Sequence, residues 1–194
     1  AEGHPRRAPT LPKDKEMSVE AFNWNVVVVG YWNPAILTPS GIATRLFGLP
    51  EGTPVLIEVP MDGLAPYRVR HEGLAVTAEM GRLVVSADSP TYASLDRAKS
   101  VAREALEKLP ETPLTAAGFN VRAKVADPPD GLLTSTECPI DAMISDAQFS
   151  ITSRSVRRSL EVGDGVLNLT VRQDTEATVD FNFHRQSSRR EDLS

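Results

Sequence analysis

The chain has 194 residues, with 21 Lys and Arg against 26 Asp and Glu for a formal net charge of −5, and it is 41% hydrophobic and 6% aromatic. At this length a folded chain buries about 70% of the surface its unfolded form exposes, so no disulfide or metal is needed to hold a core. An acidic, aromatic-poor chain lacks the cationic face that phosphate neutralisation requires, which argues against a nucleic-acid partner, and no apolar run approaches the about 20 residues of a membrane span.

Residues 1–16, AEGHPRRAPTLPKDKE, combine three prolines and two basic clusters with no apolar periodicity. This composition predicts a flexible N-terminal arm. Residues 186–194, QSSRREDLS, predict a flexible C-terminal tail for the same reason. With basic residues at both ends, the body between them is more acidic than the whole. No stretch joins a basic start, an apolar middle and a small-residue cleavage site, so no signal peptide is expected. The single cysteine, Cys138, has no partner within the chain and fits a reducing, cytoplasmic setting.

Phe22 to Trp32, FNWNVVVVGYW, is β-branched and aromatic, with apolar residues at both parities, and predicts a central strand covered on two faces. A short helix follows, with Thr38 as N-cap, Pro39 at the first helical position and Gly48 closing the end. Thr53 to Pro60, held between prolines, reads as a strand near a sheet edge. Val69, Leu74, Val76, Leu83 and Val85 then recur at alternate positions, as in antiparallel strands.

Ser89-Pro90 opens a long helix over about Thr91 to Leu109. Leu95, Ala98, Ala102, Ala105, Leu106 and Leu109 share one face at the 3.6-residue period. LPETPLTAAG reads as a rigid connection and Gly118 to Val125 as a strand, while DPPDG is expected to be a turn or loop. Pro139 to Phe149 predicts a short helix. Three strands complete the pattern, near Ser153–Val162, Val166–Arg172 and Thr178–Arg185, with Gly163-Asp164-Gly165 as a hairpin turn.

The halves resemble each other. Both open on Phe-Asn, at Phe22-Asn23 and Phe119-Asn120. Val69-Arg70, Leu74-Ala75-Val76 and Gly81 find counterparts in Val156-Arg157, Leu160-Glu161-Val162 and Gly165. Duplication explains this, and so does the alternation that any amphipathic hairpin must carry. The expected fold class is α+β. Two similar lobes of antiparallel sheet, residues 17–112 and 113–185, each carry helix packing on one face, with internal duplication as one source of the likeness. A continuous sheet through FNWNVVVV or the last strand is one way of joining the lobes.

Chemistry-bearing residues are sparse. His4, His71 and His184 lie far apart, and no nucleophile elbow, paired-histidine or paired-cysteine motif accompanies them. Cys138, beside a helix start, is expected to be an idle or buried thiol. Glycine-rich phosphate loops are absent, since GDG belongs to a hairpin. No cofactor or metal is expected. The remaining cluster is cationic: Arg154, Arg157 and Arg158 on one strand, with Arg122 and Lys124 on another. Arg154, Arg158 and Arg122 are the candidate ligands for an anion, against the plainer expectation of a solvated face opposite Glu161 and Asp180.

The function these features suggest is a non-catalytic protein-interaction or assembly component of a larger, bacterial-type complex. Its expected partner is a protein, either a second copy or another chain. The alternatives are a small anionic-ligand-binding domain, or a hydrolase or transferase whose site lies in an inter-lobe cleft near His71, His184 or Cys138.

Overall fold

A computed structural model describes residues 18–61 and 65–193. The predicted N-terminal arm lies outside the described residues.

In chain order the elements are β1 (Ser18–Gly30), α1 (Pro39–Arg45), β2 (Leu56–Glu58), β3 (Arg68–His71), β4 (Leu74–Glu79), β5 (Arg82–Ala87) and α2 (Tyr92–Lys108). Then follow β6 (Leu114–Ala126), α3 (Asp130–Thr134), α4 (Ile140–Asp146), β7 (Arg154–Val162), β8 (Gly165–Gln173), β9 (Ala177–Gln186) and a 3₁₀ turn, Arg190–Asp192. Among the described residues the nine strands form one sheet in the order β2-β3-β4-β5-β1-β6-β9-β8-β7. Each neighbouring pair is antiparallel. The two halves of the chain therefore meet inside a single α+β sheet, joined where β1 pairs with β6.

Directly opposed residues share a sheet face, so the register can be followed across the whole sheet. Ile57, Val69, Val76, Val85, Val26, Phe119, Phe183, Leu167 and Leu160 form one row, with one residue from each strand. The adjacent row on the opposite face runs Leu56, Arg70, Ala75, Ser86, Asn25, Asn120, Asn182, Asn168 and Ser159. One face is apolar from edge to edge. The other is polar over most of its width.

The helices lie on the apolar face. Thr38 caps α1, its Oγ1 accepting from the Gly41 N–H at 3.1 Å, and Gly48 follows with φ +65°. The Thr91 Oγ1 accepts from the Ser94 N–H at 3.2 Å to start α2. Ala98, Val101, Ala102, Ala105 and Leu106 of α2 are buried against Val28, Val76, Leu83 and Val85. Each Val or Leu so buried contributes about 1.5–3 kcal/mol. Ile42 and Leu46 of α1 complete this cluster. A smaller core, Val125, Val171, Ala177 and Val179, lies under Leu132 of α3.

Four readings need correcting. Leu114 to Ala117 is strand, not connection, because pairing with Val28–Gly30 of β1 imposes the extended state on a weakly β-prone segment. DPPDG does not stay irregular: Pro129 stands at the N-cap and Asp130 begins α3. β1 is central in position, but its second face carries no helix among the described residues, so Val29 is 38% exposed. Residues 187–193, expected as a tail, fold back against the body. The Arg185 guanidinium donates to the Asp192 carbonyl at 2.6 Å, the Ser187 hydroxyl donates to the Asp192 carboxylate at 2.7 Å, and Leu193 packs on the main core.

Candidate functional site: an open edge between two unlike faces

The two ends of the sheet are built differently. β2 has three residues, with Pro54 and Pro60 close by on either side. Short, proline-flanked edge strands cannot template further pairing. β7 has nine residues, RSVRRSLEV, without proline, and among the described residues it pairs only with β8. Arg157 to Val162 are exposed without a break. Nothing described covers this edge.

The apolar face changes character toward β7. Under α2 the row is fully buried at Val69, Val76 and Val85, but Phe119 is 38% and Leu160 45% exposed. The helices cover the β3–β1 half and, through α3, one corner beyond it. Phe119 and Phe183 stack with centroids 5.3 Å apart, and Phe181, Leu160 and Val162 extend an apolar strip to the β7 edge. A groove of about 1120 Å³ lies beside this strip, between α3 and strands β7 and β8, lined in part by Leu132, Val156, Arg158 and Leu169.

On the polar face a directional hydrogen-bond chain crosses five strands. Ser159 donates to Asn168 at 2.7 Å, Asn168 to Asn182 at 3.1 Å, and Asn182 to Asn120. Asn120 then donates to Asn25 at 2.7 Å, and Asn25 to Asn23 at 3.1 Å. Asn168, Asn182 and Asn120 each use the amide N–H for the next strand and the carbonyl for the previous one, so the dipoles align and polarise one another. Two concavities of about 410 and 610 Å³ share Asn23, Asn25 and Asn120 along this chain.

The three candidate arginines do not converge. Alternation places Arg154 and Arg158 on the apolar face and Arg122 on the polar one, and β8 and β9 separate β7 from β6. Arg154 is bound to Asp141 at 2.7 Å and Arg122 to Asp180 at 2.8 Å. The Arg154 guanidinium, which donates to the Asp141 carboxylate, holds that carboxyl below the usual aspartate range. Arg158 lines the groove together with the acidic residues Asp127 and Asp130, neighbours that disfavour an anion. Arg157, on the polar face, lines the smaller concavity with Arg122 and Asp180.

His71 packs its ring against Phe47, His184 continues the polar face beside Asn168, and Cys138 is an exposed free thiol. None of them lines the groove or the two concavities above. Among the described residues no three His, Cys, Asp or Glu side chains are grouped to hold a metal ion, and no helix is long and apolar enough to cross a membrane.

Sequence reasoning missed the amide chain. Its signal was present, since Asn23, Asn25, Asn120, Asn168 and Asn182 all stand at polar parity in strands, but only the register aligns them. Comparison of the chain with protein-family models, with curated proteins and with solved structures finds no significant match.

Proposed function

We propose that this chain is a non-catalytic interaction module that builds a larger complex by adding a strand to its β7 edge. The observation that carries the reading is the contrast between the sheet's two ends: a blocked three-residue β2 and an open nine-residue β7. Strand addition supplies main-chain hydrogen bonds for affinity, while the side chains of the edge and its apolar strip supply specificity. A protein partner and a cytoplasmic setting are part of the proposal, and the exposed free thiol of Cys138 supports the latter. Internal duplication is a further part. Its support is a similar order of elements: in both halves a first strand, then helix, then an antiparallel meander (β2-β3-β4-β5 or β7-β8-β9) whose last strand returns beside that first strand.

The test is site-specific photocross-linking in the source cells. A photoreactive residue at Leu160, 45% exposed beside the β7 edge, is expected to trap protein, and one at Leu56, 62% exposed on β2, is not. Equal trapping at both positions, or none at Leu160, overturns the proposal.

A further inference from the structure

We infer that the strand added to β7 is β7 of a second copy, antiparallel, with Ser159 opposite Ser159 at the centre. The inference rests on the edge-docking reading above and names its partner.

The argument comes from the side chains of RSVRRSLEV. If the apolar faces of two copies are to remain on one side, the two-fold axis must stand perpendicular to the sheet. Opposed residues then share parity. That leaves few registers within the exposed stretch. Centring on Arg157, Arg158 or Glu161 puts like charges directly opposite, which is destabilising. Centring on Leu160 sets Arg157 against Gly163 and satisfies no charge. Centring on Ser159 sets Arg157 of each copy against Glu161 of the other, giving two symmetric ion pairs on the polar face. On the apolar face it sets Val156 against Val162 and lays the Arg158 stem over Leu160. This register alone pairs Arg157 with Glu161 and opposes no like charges; Arg158 is the one charge in the overlap that meets an apolar residue.

The exposure pattern agrees. Arg157 to Val162 are all exposed, and Ser159 lies within that run. Pairing from Val156 to Val162 ends where the second copy turns at its own Gly163–Asp164 hairpin. It stops short of Arg154, whose guanidinium Asp141 already holds at 2.7 Å. The exposed Leu160 side chains of the two copies then adjoin across the new seam, so the apolar strips that Val162 and Phe181 extend become one surface.

Native mass of the full chain across a concentration series tests this. Twice the 21.1 kDa chain mass is expected, with Arg157→Glu and Glu161→Arg each returning the single-chain mass. The double variant Arg157→Glu, Glu161→Arg reverses both pairs together and is expected to recover the doubled mass. A single-chain mass at every concentration overturns the inference, as does failure of the double variant to recover while its circular dichroism matches the parent. Register is read separately in a Cys138→Ser background. Ser159→Cys is expected to form a disulfide-linked dimer on mild oxidation, because opposed antiparallel Cα atoms are about 4.5–5.5 Å apart, within the about 4.4–6.8 Å that a disulfide spans. Ser155→Cys is not; linkage at Ser155 and not at Ser159 overturns the register. The Leu160 photocross-link separates the two readings. Trapping a different protein overturns self-pairing and leaves edge docking intact, whereas trapping no protein ends both.

Discussion

Asn120 donates to Asn25 across the seam between β6 and β1, at 2.7 Å, so a side-chain hydrogen bond reinforces the junction of the two halves of the chain. The same Asn120 accepts from Asn182, and both contacts are partly buried. Asn120→Ala removes a donor and an acceptor together. Leaving such groups unsatisfied costs about 1–3 kcal/mol. Urea unfolding is expected to show that loss for Asn120→Ala. Asn23→Ala, at the exposed end of the chain, is expected to stay within about 0.5 kcal/mol of the parent.

Arg154 and Asp141 tie α4 to the start of β7. Because the folded Asp141 carboxyl titrates below its ordinary value of 3.8, the pair adds stability above that value and loses it as pH falls through the lower, folded one. Asp141→Asn should therefore be less stable than the parent at neutral pH. The gap should close as pH drops below the ordinary aspartate value. Parallel melts across that range check both the sign and the window.

Gly118 of β6 lies opposite His184 of β9, and a Cβ there would strike the Phe183 carbonyl. Gly118→Ala must push β6 and β9 apart or bend one of them. Overpacking of this kind costs about 1–3 kcal/mol, read as a lower urea midpoint. An alanine at Gly81, where a Cβ meets nothing within 4 Å, should be tolerated.

Leu83 is fully buried under α2, while Leu160 is 45% exposed at the far end of the sheet. Leu83→Ala is expected to lose about 2–5 kcal/mol through lost transfer energy and the cavity left behind. Leu160→Ala, measured at low protein concentration, should change stability by no more than about 0.5 kcal/mol. A large loss at Leu160 would mean that the single chain already buries it.

The strands and the long helix were legible because their periods are strong. Val69, Val76, Leu83 and Val85 alternate, and the Ala98–Ala105 stripe repeats at helical spacing. Leu114 to Ala117 was not legible as strand, since two adjacent Ala carry little β signal beside a single Thr and pairing with β1 makes the segment extended. The candidate arginines illustrate a deeper limit. Parity along β7 correctly separates Arg157 from Arg158, but no local pattern shows that two strands stand between β7 and Arg122. Likewise the asparagines are visible one at a time. Their alignment depends on the register of five strands, a property of the sheet and of no single segment.

The proline-bracketed β2 has one more consequence. A sheet that lengthened at both ends would polymerise, each new copy offering a fresh template to the next. If a second copy pairs with β7 as inferred above, it consumes that edge, and among the described residues the outer margins left behind are two β2 strands of three residues each. Association of that kind would be self-terminating: the pair forms, and among the described residues neither remaining margin is long enough to template a fibre.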